Sequence, residues 1–350
     1  MDLSATLGKL TLKNPLICAS SEFTMTAAGI RAALDAGAAA VVAKSVNESA
    51  AAAEQLDKAD YVLLDRDWKV VPWEKSDPNR DSLFCQSGLV KTPLKEWLKL
   101  LAELDQYAQT RNSYVVGSIT VADPGPAAAI AGEMEAIGLR WIELNLSAPH
   151  GREASAVRQI TAAKMVGDYV RQVRAATKVP LAVKLTGQTE DVVTLAKEAV
   201  ANGADMLVMT GRFPGFMPDI ETHEAILGSW GAIGGRWCLP TSLYWISKCW
   251  LALPREVPII GTNGARCADD VVRFLLSGAR AVEFASLVLT HGAEVFTEMI
   301  ESLGNYCERK NIARLSELVG KAATASRPYA ALPIAPRASY PWDRHVKKEH

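Results

Sequence analysis

Short apolar runs rich in valine, isoleucine and leucine recur along the 350 residues of the chain, and alanine-rich stretches with helical spacing separate them. Such runs lack alternating polar positions, which is typical of parallel strands buried on both faces. The pattern predicts eight strands, at Leu16–Ala19, Ala39–Lys44, Tyr114–Ile119, Trp141–Asn145, Leu181–Leu185, Met206–Thr210, Pro258–Gly261 and Ala281–Ala285. Eight strands alternating with helices predict the α/β class and a (β/α)₈ TIM barrel, here preceded by an N-terminal β-hairpin.

Two long segments interrupt this alternation. Residues 47–91 follow the second predicted strand and residues 211–244 follow the sixth, and both show little periodicity. Insertions after barrel strands usually cover the active site, so both segments are predicted to be lids. No linker divides the chain, which predicts a single domain over residues 1–350. Residues 328–350 are expected to be a C-terminal tail that packs outside the barrel or frays.

Composition narrows the possible partners. Apolar residues make up 49% and charged residues 22% of the chain, and a net charge of -1 favours neither nucleic acid nor an anionic membrane as partner. The six cysteines form no C-x-x-C pair, which argues against a cysteine-held metal or iron–sulfur cluster. Since no signal peptide or membrane-spanning apolar run occurs, we expect a cytoplasmic protein.

A glycine-containing loop follows the seventh predicted strand and a short Ala-Ser turn ends the eighth, where this type of barrel usually binds phosphate. They contain Asn263-Gly264 and Ala285-Ser286. Glycines let backbone N–H groups approach an anion, and these loops therefore suit a phosphate group, although ordinary turns explain such glycines equally well.

Polar side chains also stand at the ends of three other strands. Lys44 and Lys184 lie in apolar runs, where a cation either meets a ligand anion, such as a reduced flavin, or forms a structural ion pair. Asn145 and Ser147 leave the fourth strand and can hydrogen-bond a planar ligand, or simply form a turn.

The segment after the fourth strand reads Asn145-Leu146-Ser147-Ala148-Pro149-His150-Gly151. It resembles the N-L-S-C-P-N motif of the dihydroorotate dehydrogenase family and the N-L-S-C-P-H motif of dihydropyrimidine dehydrogenases. Further similar segments occur in the family's order, at Asn14–Ser21, Ala43–Ser45, Phe84–Leu89, Gly234–Leu243, Ile260–Gly264 and Ala285–Ser286. The resemblance spans residues 12–292 and implies a class 1-like, homodimeric barrel that binds FMN at its mouth.

The same resemblance implies roles for individual residues. Lys44 would reach both the flavin and the substrate. The flavin ring and ribityl chain would lie against Ala19, Ser20, Ser45, Asn145, Lys184 and Gly235. The phosphate would be held by Asn263, Gly264, Ala285 and Ser286.

The substrate side departs from the family pattern. Ala148 occupies the position of the catalytic Cys or Ser, and a methyl group moves no proton. Two candidates for proton transfer remain: Cys85, whose thiolate we expect Lys44 to favour, and His150. Both stand where the family has asparagines that hold its substrate. Arg212 is a candidate for pairing with a substrate carboxylate or carbonyl, so the substrate-binding set comprises Lys44, Cys85, Asn145, Ser147 and Arg212.

These observations predict an FMN-dependent oxidoreductase that interconverts a C–C single and double bond, or oxidises a C–N bond, in a small cyclic substrate other than dihydroorotate. One alternative is a true dihydroorotate or dihydropyrimidine dehydrogenase with a relocated base. Another is a flavin-binding protein without turnover, and a third is a flavin-free barrel that binds a phosphorylated substrate. The sequence does not identify the electron acceptor, and a partner reductase is one alternative for it.

Overall fold

A computed structural model describes residues 1–120, 123–148, 160–334 and 340–345. The chain begins with the predicted hairpin, in which strands β1 (Ala5–Leu7) and β2 (Leu10–Leu12) pair antiparallel. Their buried side chains pack with the inward-facing residues of the barrel strands, including Ile17, Val116 and Met206. The hairpin therefore closes the amino-terminal end of the barrel and leaves the opposite end for chemistry.

Eight parallel strands form the closed barrel, and all eight predicted strands are confirmed. In chain order they are β3 (Leu16–Cys18), β4 (Ala40–Val42), β8 (Tyr114–Thr120), β9 (Ile142–Asn145), β10 (Leu181–Lys184), β11 (Met206–Met209), β14 (Ile259–Thr262) and β15 (Ala281–Phe284). Nearly every residue of these strands is buried, as expected for strands covered on both faces.

Helices surround the barrel and cover its outer face. The helices of the described residues are α1 (Ala27–Asp35), α2 (Ala50–Glu54), α3 (Leu94–Gln109), α4 (Pro124–Ala136), α5 (Ala163–Ala176), α6 (Val192–Ala201), α7 (Leu239–Ala252), α8 (Ala268–Ser277), α9 (Ser286–His291), α10 (Val295–Lys310) and α11 (Lys321–Ala325), of which α2 belongs to the first insertion. Helix α8 ends at Gly278, whose φ of 117° is left-handed and favours glycine. Within the described residues, no helix is long and apolar enough to cross a membrane.

The two insertions meet in one five-stranded sheet, which the sequence did not predict. It contains β5 (Tyr61–Leu64), β6 (Val70–Val71), β7 (Ser82–Cys85), β12 (Phe213–Gly215) and β13 (Gly231–Gly234). Strands β7 and β13 join the insertions, with Cys85 opposite Ala232. Apolar clusters form on both faces of this sheet, around Phe84 on one face and Leu83 on the other. The described part of the tail is exposed.

Candidate active site

A cavity of about 1220 Å³, counted out to its open mouth, lies at the carboxyl ends of the barrel strands. Most of the predicted site residues line it, namely Ala19, Ser20, Lys44, Ser45, Asn145, Ser147, Lys184, Arg212, Asn263, Gly264, Ala285 and Ser286. Cys85 and Gly235 do not line it, although Gly234 does. His150 lies outside the described residues.

One end of the cavity carries an arginine that the sequence analysis overlooked. Arg266 lines the cavity, and its Nη1 donates to Ser286 Oγ over 2.8 Å. Burial lowers the pKa of its guanidinium to about 10, which leaves it charged at neutral pH. Beside it, Gly264 has a φ of 113°, and a Cβ there would lie 2.6 Å from the backbone of Leu239. This end therefore combines a cation with closely approaching backbone, as anion sites do.

A buried triad lies at the floor of the cavity. Lys184 Nζ is 2.7 Å from Glu283 Oε2 and 3.6 Å from Glu143 Oε2, so the lysine forms the structural ion pair while also lining the cavity. Burial opposes its charge, but the two glutamates raise the pKa of Lys184 to about 12. Burial and the nearby Glu283 raise the pKa of Glu143 to about 8, against the opposing effect of Lys184. The triad therefore holds one carboxyl proton at neutral pH.

Lys44 also has a carboxylate partner, which was not predicted. Its Nζ donates to Glu22 Oε1 over 2.7 Å, and the Tyr61 hydroxyl donates to the same oxygen over 2.8 Å. Although burial acts against it, Lys44 lowers the pKa of Glu22 and keeps it ionised. Burial and the adjacent carboxylate raise the pKa of Tyr61, which stays a hydrogen-bond donor.

The lid contributes Arg212 and Cys85. Arg212 Nη1 donates to Cys85 Sγ over 2.7 Å, and its Nη2 donates to Ser87 Oγ over 3.3 Å. Burial raises the pKa of the Cys85 thiol and outweighs the cations Arg212 and Lys44, which both lower it as expected of Lys44. Cys85 is therefore a thiol at neutral pH.

Ala148 lies in the cavity wall beneath the lid. Its methyl group packs with Ala52 and Leu89 of the first insertion. The neighbouring Ser147 Oγ donates to Asn145 Oδ1 over 2.8 Å, which fixes the amide of Asn145 at the end of β9. Asn145 and Ser147 thus place fixed polar groups beside Ala148, while Ala148 itself has no ionisable group.

Comparisons with known proteins agree with this arrangement. The family model described as "Dihydroorotate dehydrogenase" matches residues 98–306. The catalytic subunits of dihydroorotate dehydrogenase B (NAD(+)) from Methanocella arvoryzae and Pyrococcus furiosus are each 28% identical to this chain, over 92% of it and 98% and 99% of their own lengths. That of Methanosarcina mazei is 26% identical over 91% of this chain and 95% of its own. The barrel, its polar mouth and these matches show that the chain belongs to the dihydroorotate dehydrogenase family of oxidoreductases.

Proposed function

We propose that this protein is an FMN-dependent dehydrogenase that acts on a CH–CH bond of a small cyclic substrate. The observation that carries the proposal is the cavity itself, which has the charged groups for a flavin phosphate at one end and for a flavin ring at the other. The groups of both ends line one continuous cavity that opens at the carboxyl ends of the barrel strands.

The phosphate end fits FMN. Arg266 lines the cavity and forms no salt bridge among the described residues, so a phosphate would supply its missing counter-charge. We assign the phosphate to Arg266 together with Asn263, Gly264, Ala285 and Ser286. Asn263 and Gly264 both have left-handed backbone, with φ of 69° and 113°, and such turns commonly direct N–H groups at anions.

The floor of the cavity fits the flavin ring. Lys184 stays protonated across the working pH range and can stabilise negative charge on a reduced ring. Glu283 lines the cavity beside Lys184 and would accept a hydrogen bond from a ring N–H. When bound, the flavin supplies the hydride acceptor. Ala19, Ser20, Ser45, Asn145 and Gly235 complete the proposed flavin set.

The replaced side chains support a substrate other than dihydroorotate. Ala148 offers no base, and Cys85 stands in place of an asparagine that the family resemblance assigns to substrate binding. Cys85 stays a proposed proton-transfer residue: its Sγ accepts a hydrogen bond from Arg212, which lines the cavity, although Cys85 itself does not. As a thiol it would donate a proton in the reducing direction, in which the reduced flavin would supply the hydride. Lys44, Asn145, Ser147 and Arg212 would orient the substrate.

A second candidate is a dihydroorotate dehydrogenase whose base has moved, to His150 for example. The names of the relatives favour it, and their designation as NAD(+)-linked catalytic subunits supports a partner subunit that accepts electrons here too. For the main candidate as well, we propose a homodimer that works in the cytoplasm. The absence of an ionisable group at Ala148 favours a third reading, a flavin-binding protein without turnover.

The test begins with flavin binding. We expect yellow protein that releases FMN on denaturation, and apoprotein that binds FMN more tightly than riboflavin. Arg266→Met should weaken FMN binding by roughly 10–100-fold, since it removes a charge-assisted hydrogen bond, and should leave riboflavin binding unchanged. Arg309→Met removes the same charge from the outer surface of α10 and serves as control. Colourless protein that cannot be reconstituted with FMN contradicts the proposal.

Turnover separates the candidates. Anaerobic mixing with a panel of cyclic CH–CH substrates should reduce the bound flavin for at least one of them, seen as loss of its visible absorbance. Dihydroorotate should reduce it far more slowly than the rates of about 1–10³ per second that are ordinary for enzymes. Rapid reduction by dihydroorotate would establish the second candidate. No reduction by any member would establish the binding protein.

A further inference from the structure

A second cavity lies at the amino ends of the barrel strands, away from the candidate active site. Counted out to its open mouth, its volume is about 690 Å³. Pro15 and Arg280 line it and stand directly before strands β3 and β15. The candidate active site lies at the carboxyl ends of the same strands, and no described residue lines both cavities. The second cavity is therefore a separate site, for which the proposed function has no use.

Most of the wall of this cavity is apolar. Its apolar side chains include those of Leu3, Ala5, Leu275, Leu315, Val319 and Trp250. The indole of Trp250 is held in place, because its Nε1 donates to Thr324 Oγ1 over 3.2 Å and the Arg255 guanidinium lies 4.2 Å from the ring centroid. A side chain at Gly278 or Gly320 would collide with this indole, and both glycines have left-handed backbone, with φ of 117° and 72°. The apolar wall is therefore preformed, as in small-molecule sites.

Arg280 is the only charged side chain among the described residues that line this cavity. Its Nη1 donates to the Thr6 carbonyl oxygen over 3.1 Å and its Nη2 donates to the Arg255 carbonyl oxygen over 2.5 Å, and both acceptors are neutral. Arg280 forms no salt bridge in the described part of the chain. Burial lowers the pKa of its guanidinium, and the charge of Glu256 opposes this effect only from a longer distance. A half-buried cation without a counter-ion beside an apolar wall favours a ligand that supplies the anion.

We propose that this second cavity binds a small organic acid with an apolar body. The carboxylate would pair with Arg280, and the body would pack against Trp250 and the leucines around it. One guanidinium matches one negative charge, and its planar donors suit a carboxylate. A bound acid would bridge residues 3–6 and residues 315–319, and would therefore stabilise the amino-terminal end of the barrel. The inference does not rest on the proposed function.

The test compares acids with neutral molecules that have the same apolar body, on the full chain at one fixed FMN concentration. The probe pairs are benzoate with benzyl alcohol and hexanoate with hexan-1-ol, and inorganic phosphate is the anion without an apolar body. Calorimetry measures binding, and the melting temperature measures stabilisation. At least one acid should bind about tenfold or more tightly than its neutral partner and than phosphate, because only the acid combines charge-assisted hydrogen bonds with apolar contact. Protein that takes up no FMN would refute the proposed function, and the same titrations would still test this cavity.

Variants locate the binding. Arg280→Met should weaken binding of the acid by roughly 10–100-fold and change binding of the neutral partner little. Because Arg280 also bonds the Thr6 carbonyl, a second variant leaves it in place: Ser316 is exposed and lines the cavity, so Ser316→Phe should fill the cavity and weaken binding of both partners. Ser316→Ala keeps the cavity open and should bind as the wild type does. Arg327→Met removes an exposed cation just beyond α11 and controls for net charge.

Three results would overturn the inference. The wild-type protein could bind neither acid at millimolar concentration, or bind both no better than their neutral partners. Phosphate could bind as tightly as the acids, which would make this an ion site without use for the apolar wall. Acid binding could also survive both Arg280→Met and Ser316→Phe, which would place the acid elsewhere on the protein. If Arg280→Met does not fold, the comparison of Ser316→Phe with Ser316→Ala decides alone.

Discussion

Replacing Glu143 by glutamine should make the stability of this protein less sensitive to pH. Glu143 is 1% exposed and shares Lys184 with Glu283 inside the barrel. Its pKa is raised from 4.5 to about 8, mainly by burial. Between these two values the folded protein keeps a proton that the unfolded chain has released, so stability falls as the pH rises.

The size of the effect follows from the same pKa. A group that is protonated only in the folded state changes the free energy of unfolding by at most about 1.4 kcal/mol per pH unit, which gives an upper limit of about 4 kcal/mol from about pH 5 to about pH 8. Lys184 does not contribute in this range, because its pKa of about 12 keeps it protonated throughout. Glutamine preserves the shape and can still hydrogen-bond Ser118, but it does not titrate. The stability of Glu143→Gln relative to wild type should therefore increase towards pH 8.

Urea unfolding at several pH values, followed by tryptophan fluorescence, measures the difference in unfolding free energy between the two proteins. The FMN concentration is kept constant, because bound ligand adds its own stabilisation. Reversibility must be checked at each pH. Glu301→Gln removes an exposed glutamate of α10 and controls for net charge. If wild type and Glu143→Gln keep a constant difference in unfolding free energy from pH 5 to 8, Glu143 is ionised throughout and the argument fails.

Three further predictions concern catalysis and the phosphate loop. Ala148→Cys should not create efficient dihydroorotate oxidation in stopped-flow measurements, because a base accelerates only a substrate that is already held in reactive geometry. Cys85→Ser should slow the reductive turnover of the true substrate if the thiol donates the proton. His150→Gln should slow it instead if the histidine donates the proton. If both variants keep the wild-type rate, neither residue is the proton donor. Gly264→Ala should lower stability by about 1–3 kcal/mol, because its φ of 113° disfavours any side chain, and should weaken FMN binding in a fluorescence titration. Gly304→Ala, within helix α10 and with open space around its Cβ, should raise stability by about 0.5–1 kcal/mol and leave FMN binding unchanged.

The barrel strands could be predicted because strands that are buried on both faces appear in the sequence as continuous apolar runs. Each strand is a short run of apolar residues, and no polar alternation competes with that reading. The strands of the lid sheet are not marked by such runs. Strands β5, β6 and β7 are two to four residues long, and β7 pairs with β13 of the second insertion, so the strand order depends on contacts that the local sequence pattern does not contain.

Sequence motifs predicted many residues of the candidate site, but they did not predict the carboxylates that form ion pairs with its lysines. Lys44 and Lys184 were expected near the cavity, but Glu22 and Glu283 pair with them from 22 and 99 residues away along the chain. Nothing in the local sequence marks such partners. Arg266 did leave a signal, since it stands two residues after Gly264 in the predicted phosphate loop, and a cation at that place could have been proposed.

The shared lid sheet has a consequence for engineering. Because β7 of the first insertion pairs with β13 of the second, with Cys85 opposite Ala232, neither segment keeps its shape without the other. A chimaera that receives one insertion from a relative would lose this register and expose unpaired strand edges. Transfer of substrate preference within the family therefore requires that residues 47–91 and 211–244 be grafted together.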